Sequence, residues 1–216
     1  MTVIKICGIT TLDDALMCAD LGVEILGFNF YSKSFRYISA EHCLVMVEEL
    51  HRRAYDLLCV GVFVNASVFE VERIVKECGL DAAQLHGDED PAFALSLTIP
   101  NYKAFRGLPL SANVPLYPQP LHPALPQFLV DANVPYYYGG TGAQLDWSKI
   151  PTAMGGFAQT RFFLAGGITP ANVAEAIENA NPWGVDIATG VEEMLGKKSA
   201  HKVRQLVENV RDADRR

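Results

Sequence analysis

The sequence has no long hydrophobic run. No uninterrupted apolar stretch approaches the ~20 residues that a membrane helix needs, and the short Val3-Ile4-Lys5-Ile6 segment near the start has neither a basic region before it nor an apolar extension after it. Neither a membrane anchor nor a secretory leader is expected, and the chain reads as soluble and cytoplasmic. Cysteine is sparse and irregular. The five thiols, Cys7, Cys18, Cys43, Cys59 and Cys78, are odd in number, form no CxxC pair and stop at Cys78. That pattern excludes a disulfide framework and gives no zinc site, so no metal is expected. Positive charge is also in short supply, with 18 Lys and Arg against 25 Asp and Glu and a net charge of −7. Such a balance disfavours a nucleic-acid surface but leaves open a small phosphorylated ligand, which is held by local groups. Linkers rich in Ser and Gly, charge blocks and low-complexity tracts are missing too. A single domain over residues 1–216 is expected, large enough for one sizeable core.

What the sequence does contain is alternation. Short β-rich apolar runs are expected as strands over Val3 to Ile6, Glu24 to Phe28, Leu57 to Val64, Ala82 to His86, Tyr102 to Phe105, Gln127 to Asp131, Arg161 to Ala165 and Val185 to Ala188. Helical spacing falls between most of them, over Leu12 to Leu21, Ala40 to Leu50, Val68 to Glu77, Pro91 to Leu97, Pro170 to Asn179 and Ala200 to Val210. Thr10 or Thr11 can cap the first helix, and Thr169-Pro170 can open the one after the seventh strand. Eight βα units of about 27 residues each fit a compact (β/α)8 TIM barrel and are too many for a flavodoxin-like sheet. The fifth unit, Gly107 to Pro126, holds Pro109, Pro115, Pro118, Pro120, Pro123 and Pro126. Six prolines leave no room for an ordinary helix, so a Pro-rich irregular segment is expected in its place.

Three glycine-bearing turns follow the late strands: Gly139-Gly140-Thr141-Gly142, Ala165-Gly166-Gly167 and Ala188-Thr189-Gly190. A single such turn need only shape a loop. Three together, in a fold whose phosphate site recurs after strands 7 and 8, point to a phosphate grip from Gly140, Gly142, Gly166, Gly167, Thr189 and Gly190.

Active sites of this fold lie at the C-terminal ends of the strands, which leaves few reactive side chains: Cys7, Arg36, His86, Asp131 and Asp186. Cys7 closes strand 1 and Asp131 closes strand 6, with strands 7 and 8 between them. A base and an acid so placed would flank the phosphate site and approach a bound sugar phosphate from opposite sides. Against this, a free cysteine is often a buried packing residue, and an aspartate is often a turn residue. Alternation puts Lys5 on the same face as Cys7. A Lys5 cation paired with Asp186 on strand 8 would favour the Cys7 thiolate. His86 fits either substrate binding or a hydrogen bond to a neighbouring carbonyl. Arg36, in the loop after strand 2, suits bidentate capture of a carboxylate, or is simply solvated; Lys33 is a weaker candidate for that task.

The motifs Lys5-Ile6-Cys7-Gly8-Ile9-Thr10, Leu26-Gly27-Phe28-Asn29-Phe30, Val60-Gly61-Val62-Phe63-Val64-Asn65, Gln84-Leu85-His86-Gly87, Gly139-Gly140-Thr141-Gly142 with Asp146-Trp147, Ala165-Gly166-Gly167 with Asn172-Val173, and Gly190-Val191-Glu192 closely resemble those of phosphoribosylanthranilate isomerases. They run in order across nearly the whole chain, and the Lys-Ile-Cys-Gly-Ile-Thr start is the most specific of them. The resemblance implies an Amadori rearrangement of N-(5'-phosphoribosyl)anthranilate to 1-(2-carboxyphenylamino)-1-deoxyribulose 5-phosphate in tryptophan biosynthesis, without metal or organic cofactor. It also implies Asp131 as general acid, Cys7 as general base, Arg36 on the anthranilate carboxylate, and a chain that works on a small phosphosugar as monomer or homodimer. Ala188 stands where the family often has serine, and Leu195 where it often has proline. The rival readings are another sugar-phosphate Amadori isomerase, such as the histidine-pathway enzyme with two aspartates, and a non-catalytic phosphosugar-binding barrel. A cysteine at position 7 disfavours the first, and retention of both Cys7 and Asp131 disfavours the second.

Overall fold

The computed structural model describes residues 1–107, 122–131, 147, 150 and 161–216. Eight parallel strands close a barrel in sequence order: β1 Val3–Cys7, β2 Ile25–Asn29, β3 Leu58–Phe63, β4 Ala82–Leu85, β5 Asn101–Arg106, β6 Phe128–Asp131, β7 Phe162–Ala165 and β8 Gly184–Ile187. Closure joins β8 to β1, with Lys5 opposite Asp186. The helices are α1 Leu12–Asp20, α2 Ala40–Arg52, α3 Val68–Glu77, α4 Pro91–Ser96, α5 Val173–Ala180 and α6 Ala200–Ala213. A two-stranded hairpin, β9 Glu192–Met194 with β10 Lys197–Lys198, follows β8. Among the described residues no helix is long and apolar enough to cross a membrane.

Two apolar layers hold this arrangement. Alternation along each strand turns Ile25, Val60, Ala82, Tyr102, Leu129 and Phe163 into the barrel, where they pack as one cluster. Their neighbours, such as Ile4, Ile6, Leu26, Phe28 and Val185, face outward and meet Ala15, Cys18, Val47, Val173 and Leu206 on the helices. Cys18, Cys43, Cys59 and Cys78 are buried free thiols, and burial pushes Cys18 up to about 12. Reaching the C-terminal ends, the inward positions change character: Lys5, Cys7, Gln84, Asp131 and Asp186 replace the aliphatic residues. The polar mouth is thus set by strand alternation.

Side chains fix most helix starts. Thr11 caps α1 by accepting from the Asp14 amide, while Ser39, Ser67, Asp90 and Ser199 cap α2, α3, α4 and α6 in the same way. The helix expected to open at Thr169-Pro170 starts instead at Val173. Asn172 explains the delay. Its Oδ1 accepts from the Thr169 amide at 2.7 Å and its Nδ2 donates to the Gly167 carbonyl at 3.0 Å, which ties residues 167–172 into a turn. The proline-rich segment lies outside the described residues from 108 to 121; residues 122–127 lead into β6 through a turn in which the Leu125 amide donates to the His122 carbonyl.

Candidate active site

A cavity of about 320 Å³ opens at the C-terminal ends of the strands. Cys7, Arg36, His86, Asp131, Asp186, Gly166, Gly167, Thr189 and Gly190 all line it. Of the expected site residues, Gly140 and Gly142 lie outside the described residues.

On the β1–β8 side, Lys5 Nζ donates to Asp186 Oδ2 at 2.9 Å, with the lysine fully buried. Burial pulls Lys5 down, but the charges of Asp186 and then Cys7 outweigh it and hold the ammonium above its ordinary value. Cys7 is half-buried, and its thiol faces the cavity. Burial pushes that thiol up, Lys5 pulls it down, Asp186 counters Lys5, and Lys198 pulls down again. The balance leaves it above its ordinary value, so the thiol form dominates at neutral pH. Gly27 on the adjacent strand makes room for this pair. A methyl group at position 27 would lie 2.9 Å from the Cys7 sulfur and 3.1 Å from Lys5 Nζ.

Arg36 is presented by a short loop. Asn29 Oδ1 accepts from the Tyr31 amide at 2.9 Å, Asn29 Nδ2 donates to Ser34 Oγ at 3.2 Å, and the same hydroxyl accepts from the Arg36 amide at 3.1 Å. The guanidinium is buried rather than solvated. Its Nε and Nη2 donate to the two Glu192 carboxylate oxygens at 2.6 and 2.7 Å, and Nη2 also reaches Thr189 Oγ1 at 3.1 Å. One edge of the fork is therefore taken, which leaves Nη1 for a ligand carboxylate. Burial raises Glu192, but the Arg36 hydrogen bonds and the Lys198 charge outweigh it and keep the carboxyl below the usual range.

Lys198, unremarked in the sequence, ties the two sides of β1 and β8 together. Its Nζ donates to the Cys7 carbonyl at 2.7 Å, the Ala188 carbonyl at 3.3 Å and Glu192 Oε1 at 3.0 Å. The turn after β7 carries Gly166 and Gly167 at φ 96° and 72°. Beside it, Gly190 abuts this turn so closely that a side-chain carbon there would lie 2.9 Å from the Ile168 carbonyl carbon. Lys202 of α6 lines the same end of the cavity and donates to the Glu192 carbonyl at 2.6 Å.

The opposite side carries Asp131, His86 and Gln84. Asp131 is the last residue of β6, and its carboxyl lies 3.2 Å from His86 Nε2. His86 follows β4, with Nδ1 at 2.7 Å from Gln84 Nε2. The described neighbours of the imidazole nitrogens are these side chains, not a backbone carbonyl. Below it, Glu89 accepts from the Gly87 amide at 2.9 Å and from Lys103 Nζ at 2.8 Å, which fixes the loop that starts at His86. Glu192, Lys198 and Gln84 were not among the expected site residues, although Glu192 and Gln84 sit inside recognised motifs. Among the described residues, no three His, Cys, Asp or Glu side chains converge to hold a metal ion.

Comparison with known proteins places the whole chain beside one family. Residues 4–209 match the family model described as N-(5'phosphoribosyl)anthranilate (PRA) isomerase. A curated N-(5'-phosphoribosyl)anthranilate isomerase from Citrifermentans bemidjiense is 42% identical over 209 residues, covering 96% of each chain. The crystal structure of phosphoribosyl anthranilate isomerase from Thermotoga maritima superposes with a TM-score of 0.84 at 32% identity, over 98% of this chain and 100% of that one. Another solved phosphoribosyl anthranilate isomerase, in complex with reduced 1-(o-carboxyphenylamino)-1-deoxyribulose 5-phosphate, gives a TM-score of 0.81 at 31% identity, over 98% of this chain and 100% of that one.

Proposed function

Because the chain belongs to the N-(5'-phosphoribosyl)anthranilate isomerase family, we propose that Cys7 and Asp131 are the general base and general acid of its reaction. That reaction is the isomerisation of N-(5'-phosphoribosyl)anthranilate to 1-(2-carboxyphenylamino)-1-deoxyribulose 5-phosphate in tryptophan biosynthesis. One observation carries the assignment: a single cavity has a thiol at one wall and a carboxyl at the other, with an arginine and the glycine turns between them.

The chemistry follows from the atoms. Asp131 gives a proton to the furanose ring oxygen, the bond from that oxygen to C1 breaks, and the anilino nitrogen's lone pair forms the protonated Schiff base. The iminium acidifies the C2 hydrogen. Cys7, as thiolate, takes that hydrogen, and the C–H electrons neutralise the nitrogen to give the enolamine, which tautomerises to the 2-ketone. A thiol held above its ordinary value gains acidity from the new iminium charge beside Lys5 and Lys198 and releases its proton to solvent, so the base forms where it is needed. Arg36 Nη1 takes the anthranilate carboxylate, and Gly140, Gly142, Gly166, Gly167, Thr189 and Gly190 take the phosphate through backbone amides and the Thr189 hydroxyl. The enzyme acts in the cytoplasm as a monomer or homodimer, which light scattering distinguishes.

Loss of anthranilate-type fluorescence from freshly made N-(5'-phosphoribosyl)anthranilate tests the assignment. Fast loss with the parent and a deficit of about a thousand-fold or more in both Cys7→Ala and Asp131→Asn is expected. Activity that survives Cys7→Ala means another base; no turnover in the parent with phosphosugar binding intact means a silent binding barrel.

A further inference from the structure

Behind Asp131 lies a chain of buried polar groups that the reaction as written does not use. Register places Gln84 of β4 beside Tyr102 of β5, both directed into the barrel. The Tyr102 hydroxyl donates to Gln84 Oε1 at 2.9 Å, and Tyr102 and Gln84 are each 1% exposed. With its oxygen so occupied, Gln84 turns its Nε2 toward His86 Nδ1 at 2.7 Å. With the amide in this orientation its nitrogen donates and Nδ1 accepts, and an imidazole that accepts at Nδ1 carries its hydrogen on Nε2. Nε2 is the nitrogen that lies 3.2 Å from Asp131 Oδ2. That contact is not aligned as a hydrogen bond, and buried Nε2 has no other described partner.

We propose that Tyr102, Gln84 and His86 form a positioning relay for Asp131, in which the Tyr102 hydroxyl and the Gln84 amide fix His86 as the Nε2–H tautomer. The inference rests on Asp131 being the acid. An N–H beside Oδ2 favours the acidic proton of Asp131 on Oδ1. Once that proton has gone, Nε2–H meets a full carboxylate. The misaligned contact then tightens into a charge-assisted hydrogen bond, so its strength grows along the reaction and is spent on the transition state. His86 thereby acts through Asp131, and the relay lowers the barrier without a proton passing along it. Asp186 also lies near the imidazole, with its Oδ2 held by Lys5, but the 3.2 Å contact of Nε2 is with Asp131.

Nitrogen-15 NMR of the histidine side chains in the unmutated protein reads the tautomer directly, with a His86→Gln sample to assign the signal. Nε2–H at neutral pH supports the relay, and Nδ1–H overturns it. Kinetics supply the second arm. His86→Leu should lower kcat about 30-fold with KM changed less than about threefold, because the interaction grows in the transition state. His86→Gln should restore most of that loss, since its amide can place an N–H near the same point. Tyr102→Phe keeps the ring packed and should cost about threefold in kcat as Gln84 loses its anchor. Added to Asp131→Asn, His86→Leu should cost nothing further. If His86→Leu raises KM and leaves kcat alone, His86 binds substrate and the relay is wrong. If Asp131→Asn stays active, the acid assignment itself has failed, which the tautomer measurement does not depend on.

Discussion

On the β1–β8 side of the barrel mouth, charge surrounds the reacting group: Lys5 Nζ is paired to Asp186 at 2.9 Å, and Lys198 Nζ is held on the Cys7 carbonyl at 2.7 Å. On the β4–β6 side, Asp131 meets an imidazole backed by an amide and a phenol, at 3.2, 2.7 and 2.9 Å in turn. The difference matches what each group must do. A base that works as an anion gains from fixed cations nearby, because they offset part of what burial costs its charged form. For the proposed acid, an oriented N–H dipole is worth most once the proton has gone to the substrate. Charge is thus placed beside the group that acts as an anion, and dipoles beside the group that becomes one on giving up its proton.

The comparison breaks most completely if the thiol itself is replaced. Cys7→Ser conserves shape but substitutes a hydroxyl far too weakly acidic for Lys5 and Lys198 to ionise. Steady-state kcat should fall about a thousand-fold or more, with substrate still bound. Retention of a tenth of parental kcat would mean that the cation-rich side does not exist to make an anion.

Lys5→Met asks whether the cation matters through Cys7 or merely through packing. Removing Lys5 strips away the main influence that lowers the thiol, so the pH at which Cys7 is alkylated should move up from a value already above the ordinary one, and kcat at neutral pH should drop about a hundred-fold. The same change leaves the Asp186 carboxylate buried without its cation, at a cost of about 3–5 kcal/mol in unfolding free energy. Pairing Lys5→Met with Asp186→Asn should recover much of that stability without recovering kcat. An unmoved alkylation midpoint would reduce Lys5 to a structural residue.

Much of this side was legible in the sequence. Period-two alternation puts Lys5 and Cys7 on one face, and barrel closure makes strand 8 the neighbour of strand 1, so Asp186 follows as the partner of Lys5. The other side was hidden for physical reasons. Tyr102 reads as one more large residue of a buried strand, and only the β4–β5 register brings its hydroxyl to Gln84. Glu192 and Lys198 were obscured because the hairpin that carries them is short, and a three-residue strand gives no periodicity to read. The start of α5 was misplaced by the general preference for proline in a first turn, which the two Asn172 side-chain bonds override.

A subtler disturbance of the cation-rich side is Gly27→Ala. The added methyl would press on the Cys7 sulfur at 2.9 Å and on the Cys7 Cα at 3.1 Å, and the backbone contact cannot be relieved by a rotamer change. A thiol displaced by a few tenths of an ångström should cost about 30-fold in kcat, with the unfolding temperature little changed. Unaltered kcat would show that the thiol position is not tightly constrained.

Arg36→Lys sharpens the comparison at the point where the two sides share a substrate. Arg36 spends Nε and Nη2 on Glu192, and in the proposed assignment Nη1 takes the carboxylate, a division of labour that only a planar fork allows. A lysine has a single ammonium, and Glu192 would compete with the substrate for it. Glu192 would still be held by Lys198 at 3.0 Å, so the fold should tolerate the change. One charge-assisted bond to substrate is then weakened equally in ground and transition states, and KM should rise about tenfold while kcat stays within about twofold. A substrate analogue made from aniline, lacking the carboxylate, should show the same KM with parent and variant. If the variant raises KM for both substrates alike, Arg36 serves the Glu192 hairpin and not the anthranilate ring.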